Sequence, residues 1–297
     1  MSFEIFLQHL SNGLALGSLY ALIAIGYTMV YGILRLINFA HGDIFMLSTY
    51  IVFYSITMFF VPWWVAFPIA ILITGIFGVV LERAAYRPLR NSPRISIMIS
   101  AIGASFLIEN LAIVIFGGRP KAFPIPEFFN TIVHVNTISI PIANFFIPVM
   151  TFAALAVLLY IVNKTKTGMA MRAVSKDYEA ARLMGINVDS IISITFAMGS
   201  MLAAAGGIMW GIKYPNLIPL LGLMPGLKAF IAAVIGGIGD IKGAVLGGFL
   251  LGMSEIMIIA FLPSLTGYRD AFAFILLIAI LLFKPDGLMG KNVAEKV

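Results

Sequence analysis

Asn38, His41 and Asp43 fall within six residues of one another in the stretch INFAHGDIFM, inside an otherwise apolar opening segment. Groups of these types can hydrogen-bond or ionise, and at this spacing they can satisfy a break between two helices or cap a turn. Glu109 and Glu255 are also set deep in apolar runs, and Gly239-Asp240-Ile241 repeats the triplet Gly42-Asp43-Ile44 toward the far end of the chain. Metal binding has no support, because neither a second histidine nor a carboxylate cluster accompanies His41. Cysteine is absent, which removes thiolate nucleophiles, thiolate metal sites and disulfides. No HExxH, aspartate dyad or Ser/His pair on neighbouring segments is evident, so an intramembrane enzyme has nothing to act with. The run GGIGDIKG is not a phosphate cradle: a P-loop needs Gly-Lys-Ser/Thr, and here Ile241 precedes Lys242 and Gly243 follows it. The same run puts Lys242 where GxGxxG requires its last glycine.

What must position these groups is a membrane-embedded scaffold. The chain is 61% hydrophobic and 11% charged, against roughly 25% charged residues in soluble domains. A soluble fold of this make-up would expose large apolar patches. Apolar runs bounded by charge, Gly or Pro predict helices near 6–33, 44–60, 65–81, 95–116, 144–162, 191–212, 227–238, 244–262 and 271–283. Most of these runs match a hydrocarbon core of about 30 Å; the seventh is too short and reads as a half-helix. The expected fold is all-α: a polytopic helical membrane protein forming one transmembrane domain over residues 1–297, with eight or nine segments including broken or half-helices.

If the first, third, fifth and last segments end on one side, that side collects 14 of the 19 Lys and Arg residues, from Arg35 through Arg83, Arg87, Arg90 and Arg94 to Lys291 and Lys296. The other side holds Arg119, Lys121, Lys213, Lys228 and Arg269. Positive charge stays cytoplasmic, which predicts the N-terminus outside and the C-terminus inside. Trp63, Trp64, Trp210 and Tyr214 then fall at the outer interface. This placement, rather than the net charge of +6, names the partner of the basic residues as the membrane lipid and not nucleic acid. Residues 117–141 become an external loop broken by Pro120, Pro124 and Pro126, and 163–190 a cytoplasmic loop with room for its own amphipathic helix.

Non-helical backbone at membrane depth survives only where protein or a water-filled cavity satisfies it, and ionisable residues there usually face such a cavity. Asn38–Asp43 therefore reads as a break between helices, facing the interior or a pathway. In this reading Gly42 relaxes the backbone, while Asn38 and Asp43 cap the next helix. An ordinary cytoplasmic turn is the competing reading. The two Gly-Asp-Ile triplets hint at an internal repeat of the kind transporters build around broken helices. Glu109 and Glu255 have either a structural hydrogen bond or a pathway role. Gly pairs at i, i+4, such as Gly13/Gly17, Gly243/Gly247 and Gly248/Gly252, predict close helix packing within the subunit.

The cytoplasmic loop reads RAVSKDYEAARLMGINVDS. A helix over 177–184 would place Ala180, Leu183 and Met184 on one side and Lys176, Glu179 and Arg182 toward water or a partner, with Gly185 as its stop. Glu179-Ala180-Ala181, followed after three residues by Gly185, resembles the EAA loop of ATP-binding-cassette importer permeases, the coupling helix that sits in a cleft of the ATPase. GLALGSLYALIAIGYTMVYGILRLINFAHGDIFM at 13–46 and KAFIAAVIGGIGDIKGAVLGG at 228–248 are similar to the opening and the Gly-rich segment of LivH-type permeases of branched-chain amino acid importers. The likeness covers nearly the whole chain. It implies a second related permease subunit, two ATPase subunits that bind ATP and Mg in this chain's stead, and an extracytoplasmic solute-binding protein. It also implies a multi-pass protein of the bacterial inner membrane, carrying branched-chain or related small amino acids and no cofactor. An ion-coupled secondary transporter is the alternative, and it would need more intramembrane acids than Asp43, Glu109 and Glu255.

Overall fold

A computed structural model describes residues 3–135 and 138–290; Lys291, Lys296 and the C-terminus lie outside the described residues. In chain order the helices are α1 (Phe3–Leu34), α2 (His41–Thr57), α3 (Trp63–Leu81), α4 (Arg94–Phe116), α5 (Glu127–Asn130), α6 (Ile142–Lys164), α7 (Lys166–Lys176), α8 (Tyr178–Leu183), α9 (Val188–Lys213), α10 (Leu223–Gly236), α11 (Ile241–Phe261) and α12 (Arg269–Phe283). Among the described residues seven helices are long and apolar enough to cross a membrane: α1, α3 with its continuation to Leu89, α4, α6, α9, α11, and α12 with the turn from Pro263. The chain is thus an all-α, polytopic membrane protein. With 14 residues, α10 spans only about 21 Å at 1.5 Å per residue, short of the hydrocarbon thickness. In the 117–141 loop, β1 (Lys121–Ala122) pairs with β4 (Asn216–Leu217), and β2 (Ile132–Val135) with β3 (Ile138–Pro141), both antiparallel. The loop that the sequence reads as broken by Pro120, Pro124 and Pro126 thus holds these small ladders, with α5 directly after Pro126.

The centre of the bundle is α1, buried continuously from Ala15 to Val30 and packed against α11, α9, α6 and α10. Lipid offers apolar side chains no gain over one another, so helices associate where small residues let backbones close up. Here Gly17 and Gly252 interlock: a Cβ on Gly252 would lie 2.3 Å from the Gly17 nitrogen, and one on Gly248 2.4 Å from that of Ala21. Gly243 and Gly247 meet Gly236 and Ala232 of α10 in the same way. The i, i+4 glycines are spent inside the subunit.

Charges sort to the two ends. At one, Arg90 bridges buried Glu82 and Asp189, both at 2.5 Å, and Arg87 adds a 2.6 Å contact to Asp189. Ser193 donates to the other Glu82 oxygen at 2.8 Å. At the other, Lys213 donates to Asn144 at 2.5 Å and Asn12 at 3.2 Å, and Lys121 donates to Tyr54 at 2.8 Å. One expectation needs correction. Lys228 is no interfacial cation: it is buried in α10, 2.9 Å from Glu255 and 2.7 Å from Asp270. Trp210, half-buried near the end of α9, packs among Tyr20, Phe45 and Tyr214.

Candidate functional site

The segment after α1 does not turn at the bundle's end. It folds back until the His41 Nε2 sits 3.3 Å from the Ile23 carbonyl oxygen, eleven residues and about 16 Å up α1 from Leu34. A helix therefore begins at depth inside protein, with α2 running on from there. Its first turn touches the first turn of α10: a Cβ on Gly42 would lie 2.5 Å from the Gly222 oxygen, and one on Gly222 only 1.9 Å from the Gly42 oxygen. Two short helices thus meet N-terminus to N-terminus within the bundle. Gly42 serves this close approach rather than relaxing the backbone, as its type alone suggested.

Beside that contact lies a cleft of about 240 Å³, walled by α1, α2, α4 and α10. Tyr27, Asp43, Ser105 and Glu109 supply its polar groups; Ile102, Phe106, Leu223, Leu227 and Phe230 supply much of its apolar wall. Asp43 is 3% exposed and Glu109 8%. Ser105 donates to Asp43 at 2.5 Å, and Glu109 lines the same cleft.

Other candidate residues divide from this group. Asn38 takes a 2.9 Å bond from Tyr86 and caps nothing with its side chain; the residue preceding α2 is Ala40, which has no side-chain cap. His41 faces away from the cleft, under the Tyr27 ring at 4.3 Å. Glu255 has a structural partner set: Lys228, and Tyr20, which donates at 3.2 Å. Asp240 caps α11, accepting the Gly243 N–H at 2.9 Å, after Gly239 at φ +100°. Asp43 lies within its helix and Asp240 before its own, so the two Gly-Asp-Ile triplets are not structural equivalents. Tyr27, Ser105, Gly222 and Gly226 were missed. A signal existed for two pairs: Ser105/Glu109 and Gly222/Gly226 are each spaced i, i+4, which puts both members on one helix face.

At the Arg-rich end, the 163–190 loop holds two helices, where one was foreseen. Thr165 caps α7 by accepting the Gly168 N–H at 3.1 Å, and Asp177 caps α8 by accepting from Glu179 at 2.8 Å and Ala180 at 3.0 Å. Gly185, at φ +81°, ends α8; the left-handed region suits only glycine without strain. The faces differ from expectation: Ala181 is buried, Ala180 is exposed, and Leu183 and Met184 are 88% and 82% exposed. Tyr178 ties α8 to the rest, its hydroxyl donating to the Ile33 carbonyl at the end of α1. Burial raises the Tyr178 phenol above its ordinary pKa, with Arg90 and Arg35 pulling it down.

Long apolar helices combined with two short helices that begin at depth define a membrane transporter architecture. Residues 9–281 match the family model described as branched-chain amino acid transport system / permease component. The chain is 43% identical to the high-affinity branched-chain amino acid transport system permease protein BraD of Pseudomonas aeruginosa, covering 98% of both chains. It is 42% identical to LivH of Escherichia coli K12, named likewise, over 99% of both. A probable branched-chain amino acid transport permease of Methanocaldococcus jannaschii is 26% identical over 95% of this chain and 91% of its own. The chain belongs to the branched-chain amino acid transport permease family.

Proposed function

We propose that this chain is a membrane-spanning permease subunit of an ATP-binding-cassette importer for branched-chain or related small amino acids. The observation that carries the reading is the match to permease components across residues 9–281, joined to an exposed, capped helix at the Arg-rich end. That end is the cytoplasmic one. With α2 and α10 counted beside the seven long helices, the chain crosses nine times, N-terminus outside, in the bacterial inner membrane. It makes and breaks no bond. Two ATPase subunits bind ATP and Mg, a second related permease completes the membrane portion, and a solute-binding protein delivers cargo to the outer face.

The docking lever is 163–190. Leu183 and Met184 give the motor an apolar foothold that water alone would not favour, and Glu179 a charged one; Tyr178 passes displacement to the end of α1. Reversing charge in Glu179→Lys, or straining the stop in Gly185→Val, is expected to cut uptake about tenfold or more while ATP hydrolysis continues. Uptake and hydrolysis measured together in proteoliposomes check this, and normal coupling in both variants refutes the lever. For the class itself, the test is co-purification through a tag on this chain followed by reconstitution. Capture of an ATPase and ATP-dependent amino acid uptake are expected; uptake by the chain alone under an ion gradient would establish a secondary transporter instead.

A further inference from the structure

The Arg-rich end carries more positive charge than its carboxylates answer. Arg90 is met by Glu82 and Asp189, and Arg87 by Asp189, whereas Arg35, Arg94 and Lys176 form no ion pair among the described residues. These three come from separate parts of the chain, yet they line one cavity of about 440 Å³, with Arg90 as a fourth cation on its wall. Among the described residues the one carboxylate lining it is that of Asp177, which already caps α8 by accepting two backbone N–H groups. Three unpaired cations against one carboxylate leave the cavity net positive.

Arg35 is held there against its backbone preference. It follows the last residue of α1 at φ +54°, its N–H bonding the Tyr31 carbonyl at 2.8 Å. Glycine ordinarily takes such a left-handed helix stop, and strained residues of this kind gather at ligand clamps. The place of the cavity says which anion fits. Leu34 ends α1 and Arg94 begins α4, both membrane-crossing helices, and in the first turns of α4 Ile95 and Ile99 are 70% and 64% exposed. Lys176 and Tyr178 belong instead to α7 and α8, outside the spans. The cavity therefore lies at the membrane boundary, with Leu34, Leu36 and Ile97 as its apolar part. Negative charge on an apolar anchor, at that level, describes an anionic phospholipid, and basic pockets between membrane helices hold such headgroups.

We infer that this cavity receives the phosphate of an anionic phospholipid from the leaflet at the Arg-rich end, held by Arg35, Arg94 and Lys176. One headgroup there meets the end of α1, the start of α4 and the junction of α7 with α8. Tyr178, on the same wall, already ties α8 to the Ile33 carbonyl, so the headgroup braces the joint through which the docking helix moves α1. The bracing rests on the importer reading; the lipid site does not.

The test titrates the delipidated complex, co-purified through this chain, with phosphatidylglycerol, phosphatidylcholine and inorganic phosphate, and reads bound lipid by native mass spectrometry. Phosphatidylglycerol is expected to bind about tenfold more tightly than phosphatidylcholine, and excess phosphate to leave it in place, since phosphate lacks the apolar anchor. The double variant Arg35→Asn/Arg94→Gln should weaken phosphatidylglycerol about tenfold or more, the size expected for two cations beside an anionic headgroup. Asparagine tolerates the left-handed position, and partners retained by the variant show that it has assembled. Arg83→Gln removes an exposed cation of the same end that does not line the cavity, and it should change nothing. Equal binding of the two lipids by the unaltered chain, or displacement by phosphate, overturns the site. So do equal losses in Arg83→Gln and the double variant, which diffuse surface charge would produce. Reconstituted with solute-binding protein, the complex should couple ATP hydrolysis to leucine uptake several-fold better in vesicles of phosphatidylcholine with phosphatidylglycerol than in phosphatidylcholine alone, and the double variant should lose that response. Equal coupling in both vesicles overturns the brace. Lipid binding that behaves as expected, in a complex with no ATP-driven uptake in either vesicle, would refute the importer reading and leave the lipid site standing.

Discussion

Gly222→Val is expected to abolish transport and destabilise the subunit by about 3 kcal/mol or more, at the upper end of overpacking costs. The reason is what the new side chain meets. A Cβ on Gly222 falls 1.9 Å from the Gly42 carbonyl oxygen and 2.4 Å from its carbon, and backbone at the start of a helix cannot swing aside as a flexible side chain does. The helices α2 and α10 would have to part, opening the cleft and freeing the first turn of each inside the membrane, where unsatisfied backbone is costly. Gly103 supplies the control, since a Cβ there meets nothing within 4 Å. Gly103→Ala should leave both thermal stability in detergent and uptake unchanged. If Gly222→Val behaves like Gly103→Ala, the meeting of the two N-termini is wrong.

Lys228→Met should be nearly as damaging, for an electrostatic reason. Lys228 lies 2.9 Å from Glu255, which is 2% exposed, and 2.7 Å from Asp270, whose side chain is 42% exposed. Removing the ammonium leaves Glu255 uncompensated in the interior, and breaking a buried pair in this way typically costs about 3–5 kcal/mol. The double variant Lys228→Met/Glu255→Gln removes both charges and keeps a group for the Tyr20 hydroxyl to bond, while Asp270 can turn to water. Most of the lost stability should therefore return. A double-mutant cycle on unfolding in detergent measures this; additive losses would show that the pair does not interact.

These two predictions also show where the sequence was legible. The long apolar helices and the short α10 were legible from apolar run lengths, because the bilayer imposes one length scale on every span. The sorting of basic residues likewise held for Arg87, Arg90 and Lys213. Lys228 was misplaced because charge alone cannot tell a loop from a helix interior when the partners, Glu255 and Asp270, come from other elements 27 and 42 residues on. Asp43 and Glu109 were both singled out, but not as walls of one cleft: that depends on how far the 35–40 segment folds back along α1, and no local pattern encodes that depth. On α8 the helix and its stop were legible from Asp177 and Gly185. Its orientation was not, since a six-residue helix has too few turns to declare which face is buried, and Leu183 and Met184 proved to point outward.

The account stands most directly on what touches Leu183. A photoreactive residue placed there, activated in native membranes, should join this chain to a nucleotide-hydrolysing subunit, and the adduct should fade when Gly185→Val is added. A chain that joins only lipid, or that reacts at Leu183 with a membrane-impermeant reagent applied from outside the cell, would contradict an importer driven from its Arg-rich face.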